Sequence, residues 1–108
     1  MPFHVYDRSL ELIGQLAAIA ATLERRDRDL ANQLRRAATS VALNVAEGRR
    51  REGKDRPYHF RVAAGSAEET RACLQVAAAW GHIDAAVAAA PLATIDRLGA
   101  MLYRLTHQ

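Results

Sequence analysis

Gln33, Arg36, Ser40, Asn44 and Glu47 recur at spacings of three and four residues. On a helix this spacing puts an amide, a guanidinium, a hydroxyl, a second amide and a carboxylate in one line. A solvated face would mix Glu, Lys and Arg freely. This line borders an apolar stripe of Leu30, Leu34, Ala37, Val41 and Val45, and its members can satisfy one another's hydrogen bonds when partly buried. A packed polar seam between helices is therefore the first reading. A catalytic use of Arg36, Asn44 and Glu47 ranks below it, because structural networks hold such groups as readily as active sites do.

A second group follows in the chain: Arg49, Arg50, Arg51, Lys54 and Arg56, with Arg61 about one helical turn further on. Residues 35–61 carry eight basic and three acidic side chains, a balance of +5, which leaves −2 for the rest of a chain whose net charge is +3. Guanidinium forks match phosphate geometry and keep their charge. Several such contacts would give salt-dependent binding to RNA or DNA. On charge alone, a phosphate-binding loop and an ordinary solvated loop weigh the same.

Other chemistries lack their residues. A di-iron bundle needs Glu-x-x-His pairs, but the residues three before His4, His59, His82 and His107 are Met1, Arg56, Ala79 and Arg104. One cysteine and four scattered histidines offer no zinc-ligand spacing. No Ser-His-acid order, phosphate loop or dinucleotide fingerprint is present. The expectation is no catalytic residue, no metal and no cofactor. Cys73 reads as a small core residue, and Trp80 and Tyr103 as core or interface aromatics.

The elements that position these groups are helical. The 108 residues suit one domain, and half of them are hydrophobic, with Ala foremost. No period-two run suggests a strand. Helix 1 is expected over 6–25, with two apolar stripes: Tyr6, Leu10, Ile13, Ala17 and Ala20, and Leu12, Leu16, Ile19 and Leu23. A charged turn at 24–29 follows, with Asp27 as the cap of helix 2. Helix 2 runs over 27–47, and Gly48 takes the left-handed position after its end. Residues 49–54 form the basic loop. Helix 3 covers 55–80, with Pro57 in its first turn and Gly81 at its end. Helix 4 begins at the Asp84 cap or at Pro91 and runs to 106, its stripe marked by Leu92, Ile95, Leu98, Leu102 and Leu105.

The short loop makes helices 2 and 3 antiparallel, with opposing residue numbers summing to about 105. Ser40 then faces Gly65, and Arg36 pairs with Glu69. The fold expected is an all-α, single-domain, antiparallel up-down four-helix bundle. Helix 1 has two stripes, and helix 3 carries Tyr58, Phe60, Val62, Leu74, Val76 and Trp80 around its circumference. One small bundle would struggle to hide both, so a homo-oligomer is expected. No apolar run reaches about 18 residues, and the first residues lack a basic stretch followed by an apolar core. A cytoplasmic protein without a membrane partner is the simplest expectation.

Residues 30–48 also carry a resemblance. Leu30, Gln33, Leu34, Arg35, Arg36, Ala37, Ser40, Asn44, Ala46, Glu47 and Gly48, then a basic loop, then Ala63, Gly65, Ser66 and Glu69, follow one ordered pattern. It resembles the four-helix-bundle family named after the 23S ribosomal RNA intervening-sequence protein, which includes the accessory variability determinant of diversity-generating retroelements. Val45 stands where Ile is usual. Thr70 replaces a Leu, His59 replaces the first member of an aromatic-Leu pair, and Pro57 is unusual. The resemblance implies a ring-like homopentamer, association with nucleic acid and, in retroelement members, with a reverse transcriptase. The function expected is sequence-independent nucleic-acid binding without catalysis. The alternative is a protein–protein adaptor, such as an accessory subunit of a reverse transcriptase.

Overall fold

A computed structural model describes residues 4–107, and its elements are helical throughout. Helix α1 spans His4–Arg26, α2 Arg28–Arg50, α3 Asp55–Ala79 and α4 Ala89–Thr106, with a short 3₁₀ turn at Ala85–Ala88 ahead of α4. No strand occurs among the described residues.

The expected charged turn at 24–29 shrinks to one residue, Asp27. Its carboxylate accepts from the Leu30 N–H at 3.1 Å, the N-cap bond expected of it. Both helices extend into the charged stretch, where Glu24 finds partners on α2. Glu24 accepts from Arg35 and lies 3.4 Å from Arg28, and the Arg35 bond holds its carboxyl below the usual range.

Gly48 overturns the expected end of α2. It is helical and buried, and α2 continues to Arg50. A Cβ at this position would sit 2.7 Å from Cε1 of Phe60, whose ring is fully buried. Here the glycine serves close approach between helices, not a left-handed turn. The left-handed residue is Gly53, at φ 63°. Arg51 caps the helix with an N–H bond to the Gly48 carbonyl. Arg49 and Arg50 thus belong to the last turn of α2, where their charge suits the helix dipole.

Helix α3 ends as expected at Gly81, which has φ 78°. Gly81 N–H bonds the Ala78 carbonyl at 3.0 Å and His82 N–H the Ala77 carbonyl at 2.9 Å, a Schellman pair. Asp84 does not cap with its side chain; its carbonyl accepts from Val87 instead. Pro91 lies buried in the first turn of α4.

Leu12 and Leu23 of α1, Leu34, Val41 and Val45 of α2, Phe60 and Leu74 of α3, and Ile95, Leu98 and Leu102 of α4 are fully buried. The Leu12 stripe of α1 faces this core. The other stripe is only partly used: Ala20 is buried, Tyr6 and Ile13 are half-buried, and Leu10 and Ala17 are exposed. On α3, Phe60 and Leu74 turn inward while Tyr58, Val76 and Trp80 stay exposed. Arg71 of α3 ties α3 to α4, bonding Asp96 at 2.6 Å and Glu68 at 3.1 Å. The Ala85–Thr106 segment has the length and mean hydropathy (1.3) of a membrane-crossing helix, yet its Ile95, Leu98 and Leu102 stripe is spent on the core.

Gly48→Ala gains about 1 kcal/mol of helix propensity, but overpacking against a buried ring costs about 1–3 kcal/mol. Urea unfolding should show a net loss of about 1 kcal/mol that shrinks in a Phe60→Leu background. Thr94 gives the opposite sign. It is fully buried and its hydroxyl has no hydrogen-bond partner. Thr94→Val should raise stability by about 1 kcal/mol in the same assay.

Candidate nucleic-acid interface

The basic cluster straddles the end of α2, the loop and the start of α3. Its members stand in different surroundings. The Arg49 guanidinium lies 4.6 Å from the centre of the Tyr6 ring, and Arg56 lies 5.4 Å from that of Phe60. An aromatic face helps to fix the position of each. Arg51 bonds Glu47 at 3.0 Å and stands 4.0 Å from Asp55, so its charge is partly neutralised. Arg50, Lys54 and Arg61 are exposed and form no ion pair among the described residues. The six basic residues named from the sequence therefore divide into two seated on rings, one paired and three presented to solvent.

The polar line on α2 divides as well. Ser40 and Asn44 meet α3. Ser66 Oγ donates to Ser40 Oγ at 2.8 Å. Asn44 Nδ2 donates to the Ser40 carbonyl at 3.0 Å and to its hydroxyl at 3.1 Å. Asn44 Oδ1 lies 3.1 Å from Nδ1 of His59; a carbonyl oxygen only accepts, so Nδ1 carries the proton. Thr70, fully buried, donates to the Ser66 carbonyl at 2.8 Å. These bonds make a closed seam between α2 and α3.

Two expected seam contacts are absent. Ser40 meets Ser66 and not Gly65, which is exposed and has open space where a Cβ would stand. Arg36 and Glu69 are both exposed and form no ion pair. One cause explains both. The pairs Ser40–Ser66 and Asn44–His59 bracket the expected register, and a slip of one residue turns a helix face by about 100°. That turn brings Ser66 and Thr70 to the seam and leaves Gly65 and Glu69 outside it. Gln33 is likewise exposed. Glu47 serves Arg51, and Gly48 serves Phe60. Of Arg36, Asn44 and Glu47, the carboxylate is thus turned to Arg51 and not to the other two.

His59 and Thr70 belong to the seam, although the sequence marks them only as departures from the family pattern. Their spacing to Ser66, seven residues before and four after, was the available signal, since it puts all three on one face of α3. Burial pushes the Cys73 thiol up, with Glu69 adding to the shift, so it stays protonated at neutral pH.

Beside the seam lies a shallow hollow lined by Arg35, Arg36, Thr39, Ser40, Leu43 and Asn44. Leu43 is 63% exposed there. Between α1 and α2 runs a deeper groove of about 370 Å³ with Ile13, Leu16, Ala17 and Leu34 among its walls and Arg35 and Thr39 in its lining.

Comparison with known proteins agrees with this architecture. No curated protein matches the chain. A crystal structure of a protein of unknown function from the S23 ribosomal protein family, from Bacteroides thetaiotaomicron VPI-5482, superposes with a TM-score of 0.86 at 18% identity, covering 96% of this chain and 99% of that one. At that identity the likeness speaks for the fold. The model of the 23S rRNA-intervening sequence protein family matches residues 2–104. With nearly the whole length matched and the helical fold in agreement, the chain belongs to the 23S rRNA-intervening sequence protein family.

Proposed function

We propose that this protein is a non-enzymatic, oligomeric four-helix bundle that binds the phosphate backbone of RNA or DNA without reading sequence. The observation that carries the reading is the set Arg50, Lys54 and Arg61, exposed and without ion pairs among the described residues. Arg49 and Arg56 add charge on fixed seats. Phosphate contacts position a protein but do not distinguish bases. The engagement of Glu47 by Arg51, away from Arg36 and Asn44, supports a reading without catalysis.

An up-and-down course of the four helices belongs to this reading. Arg49 of α2 over Tyr6 joins the end of α2 to the start of α1. Asn44 with His59 and Ser40 with Ser66 support an antiparallel α2 and α3. The Arg71–Asp96 bond lies symmetrically about the α3–α4 connection. In that course the basic loop shares one end of the bundle with the start of α1 and the end of α4.

Assembly into a homo-oligomer, a ring-like pentamer as the family resemblance implies, would repeat the basic end several times and strengthen weak contacts through multivalency. Leu10, Leu43, Tyr58 and Val76 remain exposed on α1, α2 and α3, which supports burial between copies. The exposed Leu43 in its hollow also favours the second reading, an adaptor that docks another protein, such as a reverse transcriptase.

Light scattering should give a mass several times that of the 11.9 kDa chain; a monomer at micromolar concentration would remove the assembly. The interface itself is tested by Arg50→Ala with Lys54→Ala. Both side chains are exposed, so the melting temperature should hold. The slope of log affinity against log salt should flatten by about 0.7–0.9 per lost contact, equally for unrelated sequences. If the double variant binds like the parent, or the parent shows no binding at low salt, the adaptor reading takes over.

A further inference from the structure

We propose that Tyr103, in the last turn of α4, and His107, the residue that caps it, form a stacking platform for the unpaired bases of a single-stranded nucleic acid. This rests on the phosphate-binding reading above and names the form of nucleic acid that it takes. The two rings lie nearly parallel, with centres 3.8 Å apart and planes inclined by 12°. The pair is held in place. Nδ1 of His107 lies 3.0 Å from the Tyr103 carbonyl, which can only accept, so the imidazole N–H is anchored to the helix end and the ring is kept flat against the tyrosine. Tyr103 is 61% exposed, and His107 is exposed too. Both rings thus present surface to solvent, on which a further planar ring can continue the stack.

The surroundings select the ring's chemistry. Arg104, next to Tyr103, is exposed. From residue 97 to residue 107 there is no acidic side chain, and Asp96, just before, is taken by Arg71. The Arg71–Asp96 contact sets the α3–α4 register. Counted toward the ends of both helices, that register brings Arg61 to the level of Thr106 along the bundle. The up-and-down course argued above puts Arg50 and Lys54 at the same end. An aromatic pair with exposed cations at the same end suits a base with its phosphate, since every base has a face to stack and the backbone supplies the charge. A duplex keeps those faces inside its own stack, so only unpaired bases can reach the platform.

The test measures fluorescence polarisation of labelled single-stranded RNA and DNA oligonucleotides, and of a duplex of equal length, over a salt series. Tyr103→Ala should weaken single-strand binding by about tenfold, with duplex binding and the salt slope unchanged, because no charge is removed. Tyr103→Phe should restore the affinity. An unchanged melting temperature, expected for an exposed side chain, shows that the variant is folded. If Tyr103→Ala binds single strands like the parent while Arg50→Ala with Lys54→Ala loses its salt slope, the platform is refuted and the phosphate reading stands. Equal loss on duplex and single strand also refutes the platform. No binding by the parent to any probe removes both.

Discussion

The approach of Gly48 to Phe60 governs much of what lies around it. With no Cβ at Gly48, the Phe60 ring can lie against the backbone of α2, at a distance no side chain would permit. Glycine inside a helix costs about 1 kcal/mol relative to alanine, and burial of a phenylalanine ring offsets that by roughly 2–3 kcal/mol. The contact also carries α2 past Gly48 to Arg50. Arg49 then lies over Tyr6, and Arg51 comes one turn after Glu47. A looser approach would leave these arginines on a floppy loop.

The same hairpin contains the polar seam. Ser40, Asn44, His59 and Ser66 are half-buried between two helices and Thr70 is fully buried, and a buried polar atom left without a partner would cost about 1–3 kcal/mol. The seam avoids this by pairing its members with one another and with backbone carbonyls. Its net contribution to stability is modest. Its value lies in discrimination: sliding α2 against α3 by one residue would unpair several groups together, so the register of the hairpin is sharply defined.

The sequence shows the helices through their stripes and punctuation. The Leu12–Leu16–Ile19–Leu23 spacing marks the buried face of α1, Asp27 marks a cap, and Gly81 marks a left-handed stop, because each rests on local geometry. Gly48 misleads because a glycine near a helix end fits two physical roles, a left-handed cap and a close contact, and only the partner's position separates them. The Gly65 and Glu69 contacts fail for a related reason. A register good to one residue still leaves a helix face uncertain by about 100°. The partition of the arginines was not legible at all, since cation–ring and ion-pair seats depend on neighbours brought in by the fold. His59 and Thr70 depart from the family pattern, yet both are absorbed by the seam through a hydrogen bond.

The arginine seats bear on how a charged surface acts. A long basic side chain loses rotamer freedom when it meets a phosphate, and that loss opposes binding. Arg49 and Arg56 have lost part of this freedom already, because a ring face lies against each guanidinium. Arg51 is fixed too, but by Glu47 and Asp55, whose charges cancel much of its field. Formal charge therefore overstates the pull of the loop on an anion, while a count of free cations understates it. Two seated arginines and three exposed cations contribute to the field, and the seated pair would hold its geometry when salt screens the rest.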